Sequence, residues 1–182
     1  MAMWVILGII VLVVLWFVGI YNRLVTLRTR SEEAWSDIDV QLKRRYDLIP
    51  NLVETVKGYA KHEKDLLENV TKLRTAAMEA KSTGERAKDE NMITDALKSI
   101  FALSENYPDL KANENFGKLQ DELSDTENKI EASRRFYNAN VRDLNISIDS
   151  FPSNLIANMF KFAKKTLFEA GATEKEPVAV KF

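Results

Sequence analysis

His62-Glu63 supplies the first two residues of the zinc motif H-E-x-x-H, in which two histidines one turn apart share a helix face and the glutamate serves as base. Position 66 is Leu66 and His62 is the single histidine, so no second imidazole follows. The same shortage removes the paired Glu-x-x-His motifs that two helices must bring to a di-iron centre. With no cysteine there is no thiolate ligand, disulfide or cysteine nucleophile. Neither G-x-G-x-x-G nor G-x-x-x-x-G-K-[ST] occurs, and scattered glycines cannot cradle a phosphate. Serines, lysines and carboxylates are abundant, as on any charged helix, and none stands out as a nucleophile. The residues point to no cofactor, no metal and no evident small-molecule substrate, and hence to a protein that is not an enzyme.

Lys43-Arg44-Arg45 has the composition of a phosphate-binding patch. On a helix, however, successive residues point about 100° apart, which leaves Lys43 and Arg44 facing solvent and turns Arg45 onto the apolar side. The net charge is -1 and no aromatic residue interleaves the patch, so nucleic acid is not an expected partner.

The elements that must position these residues begin with an uncharged stretch. No Asp, Glu, Lys or Arg falls in residues 1–21, so about a third of the remaining chain is charged. Residues 3–21 are mostly Val, Ile, Leu and Phe and would rise about 28 Å as a helix, close to the roughly 30 Å of a hydrocarbon core. Their side chains favour insertion by roughly 4 to 8 kcal/mol. A cleavable signal peptide would need a basic start and a small-x-small site, and both are missing, which favours a retained anchor. Trp4 and Tyr21 suit the membrane interfaces, whereas Trp16 lies too deep and is lipid-facing or packed. Gly8 and Gly19 are not in GxxxG spacing. Arg23, Arg28 and Arg30 follow the span and no Lys or Arg precedes it, which predicts a single pass of a bacterial cell membrane, amino terminus outside and body in the cytoplasm.

Beyond the span, Leu24, Leu27, Ser31, Trp35, Ile38, Leu42, Arg45, Ile49, Leu52, Val56, Tyr59, Glu63, Leu66, Val70, Leu73 and Ala77 recur at steps of three and four. This predicts one arm running from the membrane to about residue 80, kinked at Pro50. Ser82-Thr83-Gly84 should open a loop to Asn91, a short helix should end at Tyr107-Pro108, and the same rhythm predicts a long helix over 110–150. Over 154–168, Leu155, Met159, Phe160, Phe162, Leu167 and Phe168 face Lys161, Lys164 and Lys165 across an amphipathic helix, which either docks on the bundle or lies in the membrane interface. The fold class is therefore all-α: a transmembrane helix continuing into an antiparallel, up-and-down, coiled-coil-like bundle. Its divisions are an anchor at 1–21, a bundle at 22–168 and a flexible tail at 169–182. Along the seams, Arg45, Glu63, Glu127 and Arg134 are the informative polar residues; they snorkel at the bundle edge or pair across it to set helix register.

AWSDIDVQLKRRYDLIPNLVETVKGYAKHE (34–63), SENYPDLKANENFGKLQDELSDTENKI (104–130), RRFYNANVRDLN (134–145) and FPSNLIA (151–157), in that order after an amino-terminal span, resemble the LemA family of bacterial membrane proteins. The resemblance implies a single span, a small outer terminus, an inner helical bundle and no established biochemical activity. The expected role is a membrane-anchored, non-enzymatic scaffold or adaptor, with membrane lipid, protein partners or copies of itself as ligands. The alternative is a self-assembling, membrane-shaping protein with an interfacial carboxy-terminal helix. An enzyme with an unrecognised site would instead require a polar cleft with perturbed carboxylates.

Overall fold

The computed structural model describes residues 1–168, which form six α-helices and no strand. In chain order these are α1 (Ala2–Tyr59), α2 (Lys64–Glu79), α3 (Thr83–Ser104), α4 (Pro108–Lys111), α5 (Glu114–Asp149) and α6 (Ser153–Met159). They build two compact units. One comprises Met1–Ser36 and Arg135–Leu167, the other Asp37–Arg134 with Phe168, so α1 and α5 contribute to both. The expected tail at 169–182 lies outside the described residues.

In the second unit α1 and α3 run one way and α2 and α5 return, an up-and-down arrangement around apolar seams. Ile38, Leu42, Ile49, Leu52 and Val56 of α1 meet Leu67, Val70, Leu73 and Ala77 of α2, Ile93, Leu97 and Ile100 of α3, and Phe116, Leu123 and Ile130 of α5, all buried. The first unit packs α1 against α5 and α6 through Leu24, Leu144, Ile148, Ile156 and Ala157.

Four boundaries differ from the sequence expectation. The first arm does not reach residue 80. It stops at Tyr59, just after Gly58, and turns through Ala60 to Glu63 before α2 starts. A reversal here lets α2 return along α1, and it shifts the seam so that Leu67, rather than Leu66, is buried. The loop expected from Ser82 to Asn91 is helix. Ser82 is the cap of α3, its hydroxyl accepting from the Glu85 backbone N–H at 3.2 Å while the Glu85 carboxylate accepts from the Lys81 N–H at 3.2 Å. The helix expected over 110–150 begins at Glu114 instead, because Asn113 caps it by accepting from the Phe116 N–H at 3.0 Å. The helix expected over 154–168 ends at Met159. Lys161 takes φ 56°, and the Phe162 N–H donates to the Ala157 carbonyl at 2.9 Å while the Lys161 N–H donates to Asn158 at 3.2 Å. This is a Schellman termination with lysine in the place where glycine is usual.

Pro50 lies inside α1 without ending it. Its missing N–H would have bonded the Tyr46 carbonyl. That carbonyl accepts instead from the Arg74 Nε of α2 at 2.7 Å, so the neighbouring helix satisfies what proline leaves open.

Candidate functional site

Every large side chain from Met3 to Trp16 is exposed, and α1 therefore opens with a segment long and apolar enough to cross a membrane. Trp4 is 72% and Trp16 49% exposed. Tyr21, in contrast, is half-buried in an aromatic cluster: its ring lies 4.7 Å from that of Phe160 and 6.0 Å from that of Phe162, and Phe17 stands 6.0 Å from Phe160. The Arg28 guanidinium sits 5.4 Å over the Phe162 ring.

After the turn at Phe160 and Lys161 the chain runs outside helix or sheet as a strap within the same unit. Backbone without a regular ladder needs other hydrogen-bond partners. Asn145 of α5 provides two, donating to the Lys165 carbonyl at 2.9 Å and accepting from the Lys165 N–H at 3.0 Å. Tyr137 donates to the Thr166 carbonyl at 2.9 Å. Lys164 pairs with Asp149 at 2.7 Å and Lys165 with Glu32 at 3.2 Å, while Lys161 is exposed. Of the aromatic residues singled out from sequence, Phe162 is tucked in and Phe160 is half outside.

The exposed apolar groups of this region include Phe151 at 80%, Leu155 at 58% and Met159 at 65% exposure; Leu155 and Met159 belong to the amphipathic face expected from sequence, and Phe151 lies before it. They recur at four-residue spacing, with Ile156 and Ala157 buried on the other side of α6. Their periodicity was visible, but helical continuation to residue 168 had merged them with residues that belong to the strap.

In the second unit Arg45 is fully buried at the centre of a polar cluster spanning α1, α3 and α5. Its guanidinium donates to the carboxylates of Glu90 and Glu127 and, at 3.0 Å, to the Thr94 hydroxyl. The Tyr46 hydroxyl also donates to Glu90, and Thr94 donates to Glu127 at 2.9 Å. Burial holds the Tyr46 phenol above its ordinary value of 10.0, with Arg86 and Arg45 pulling the other way. Glu90 escaped the sequence reading because α3 was started too late. Begun at the Ser82 cap, its pattern puts Ala87, Glu90, Ile93 and Leu97 on one face.

The other seam residues make separate contacts. Glu63 accepts from the Tyr107 hydroxyl at 3.1 Å, which raises the Tyr107 pKa. Arg134 donates to Asn91 at 3.0 Å and stacks 4.5 Å over the buried Phe168 ring. Arg44 keeps 40% of its side chain exposed and, from that surface position, reaches Glu122 and Asp125 of α5 at 3.4 and 3.3 Å. Asp125 titrates below its ordinary value, chiefly through its bond to Lys129.

Among the described residues no three His, Asp or Glu side chains group to hold a metal. The two carboxylates that do converge, Glu90 and Glu127, enclose a guanidinium in the place a cation would take. The cluster's chemistry is therefore that of a buried charge network between helices.

A protein named LemA from Metamycoplasma hominis is 28% identical over 166 residues, covering 89% of this chain and 74% of its own length. Magnetosome protein MamQ 2 of Paramagnetospirillum magneticum is 24% identical, covering 87% of this chain and 68% of its own, and MamQ of Magnetospirillum gryphiswaldense is 22% identical over the same shares. These names state no reaction. Residues 34–182 match the LemA family as a whole, and by that match the chain belongs to the LemA family.

Proposed function

We propose that this protein is a membrane-anchored, non-enzymatic helical scaffold whose membrane-proximal unit rests on the bilayer surface. The first part of α1 is the single span, the amino terminus lies outside, and the charged helices present protein-binding surface in the cytoplasm. The observation that carries this reading is the position of Phe151, Leu155 and Met159. Their helix is joined to the end of the apolar segment by the stacking of Phe160 on Tyr21 and Phe17, so exposed apolar groups sit where hydrocarbon gives way to headgroups. Arg23, Arg28 and Arg30 are each exposed in the same stretch of α1, where each near-surface cation contributes about 1 kcal/mol with anionic lipid.

The natural sequence has no cysteine, so a single reporter can be placed cleanly. With Leu155→Cys carrying a fluorophore in the full chain reconstituted in anionic bilayers, lipid-borne quenchers should reach the label as they reach one at the membrane interface. Quenching only by aqueous reagents would sink the proposal. A second reading, membrane shaping by self-association, draws support from the same apolar foot and from relatives whose names state a structure, the magnetosome, rather than a reaction. It predicts that reconstituted full chain deforms vesicles and that Phe151→Ser with Met159→Ser stops this; undeformed vesicles at high protein density would leave the scaffold reading alone.

A further inference from the structure

The elbow between α1 and α2 encloses a cleft of about 600 Å³ lined by nine residues, all in the second unit. Its floor is apolar: Val53 on α1, the buried Ala60 in the turn and the buried Leu67 on α2. Its rim is basic. Lys57, Lys61, Lys64 and Lys72 line it against one acid, Glu68, which pairs with Lys64 at 3.5 Å. Lys57 lies in the last turn of α1, where it offsets the negative end of that helix. Lys61 and Lys72 have no acidic partner among the described residues, and α2 begins here with no side-chain cap on its first N–H groups. A hollow with an apolar floor and a surplus of positive charge at its mouth is complementary to a molecule that is apolar along its body and anionic at one end.

Size narrows the class. Pockets for small molecules run from about 300 to 1,000 Å³, whereas a stable protein interface needs about 20 to 30 residues on each side. Nine residues are too few for the latter. We propose that the elbow cleft binds a single-chain anionic amphiphile, its acyl chain on Val53, Ala60 and Leu67 and its carboxylate or phosphate head among Lys57, Lys61 and Lys72. This adds a ligand site on the bundle to the anchor and foot and does not depend on how the foot meets the bilayer.

The test uses the full chain in bilayers of zwitterionic lipid and a palmitic acid carrying a photoreactive diazirine on its chain, with mass spectrometry locating the adducts. Labelling of residues 53–72 should saturate with concentration. It should drop about tenfold in Lys57→Gln/Lys61→Gln/Lys72→Gln, persist in the corresponding arginine variant, and drop likewise in Val53→Trp, which fills the floor and leaves the charges in place. The methyl ester of the probe should label weakly. A diazirine-bearing alkyl phosphate run in parallel tells a phosphate head from a carboxylate by the lower half-saturation. Labelling that does not saturate, that is equal for acid and ester, or that survives both the glutamine variant and Val53→Trp would overturn the proposal. So would protection of the cleft by an acidic amphipathic peptide at lower concentration than any amphiphile, which would assign the surface to a protein partner.

Discussion

Arg45 shows how much a single buried charge asks of its surroundings. Its guanidinium is held by two carboxylates from two other helices, and removing it would leave Glu90 fully buried without its cation. Arg45→Ala should therefore cost about 3 to 5 kcal/mol in denaturant melts of the detergent-solubilised chain. Arg45→Met combined with Glu90→Leu should recover most of the loss, because apolar groups of similar volume need no counter-charge. Tyr46 adds a pH signature. Its phenol titrates above 10.0 in the folded chain, so the native state holds the proton after the unfolded chain has released it. The associated stability is complete below pH 10 and declines as pH rises through the raised value; Tyr46→Phe should flatten that alkaline decline. The Arg74 bond to the Tyr46 carbonyl exists because Pro50 cannot make it. Arg74→Met should destabilise by about 1 to 2 kcal/mol, and by much less in a Pro50→Ala background, a coupling that a double-mutant cycle measures directly.

At the scale of elements, the sequence was most informative inside helices and least at their ends. Buried Leu24, Ile38, Leu42, Ile49, Leu52, Val56, Val70, Leu73 and Ala77 fall on the expected seam, because side chains three and four apart share a face whatever the rest of the chain does. At Ser82 the expected loop overrode a cap signal that the residues do carry, a serine followed three residues later by glutamate. The termination at Lys161 was not legible. A lysine in a left-handed conformation has no sequence signature, and only the packing of Phe162 against Tyr21 and of Lys165 against Asn145 accounts for a helix that stops there. Since the left-handed region costs a residue with a Cβ about 1 kcal/mol or more, Lys161→Gly should raise the melting temperature of the chain. Unchanged or lower stability would mean that the lysine side chain contributes more than its backbone strain costs.

For the whole molecule, the quantity to establish first is sidedness. The basic flank of Arg23, Arg28 and Arg30 leads us to expect that Lys118→Cys is protected from a membrane-impermeant maleimide in intact cells and labelled after lysis, with Ala2→Cys showing the reverse. The inverse pattern would place the bundle outside and remove the cytoplasmic scaffold from consideration. The apolar length of the anchor, the all-helical class and a polar residue on the α1 seam were determined by sequence alone, because each depends on residues within a few turns of one another. Which helix answers Arg45, where α1 must stop so that α2 can return, and which apolar groups remain outside were decided only by tertiary structure. Arg45 meets partners 45 and 82 residues away, and Glu32 meets Lys165 across 133. Contacts at such separations follow from how the helices fold back and where the strap runs, which no local periodicity encodes.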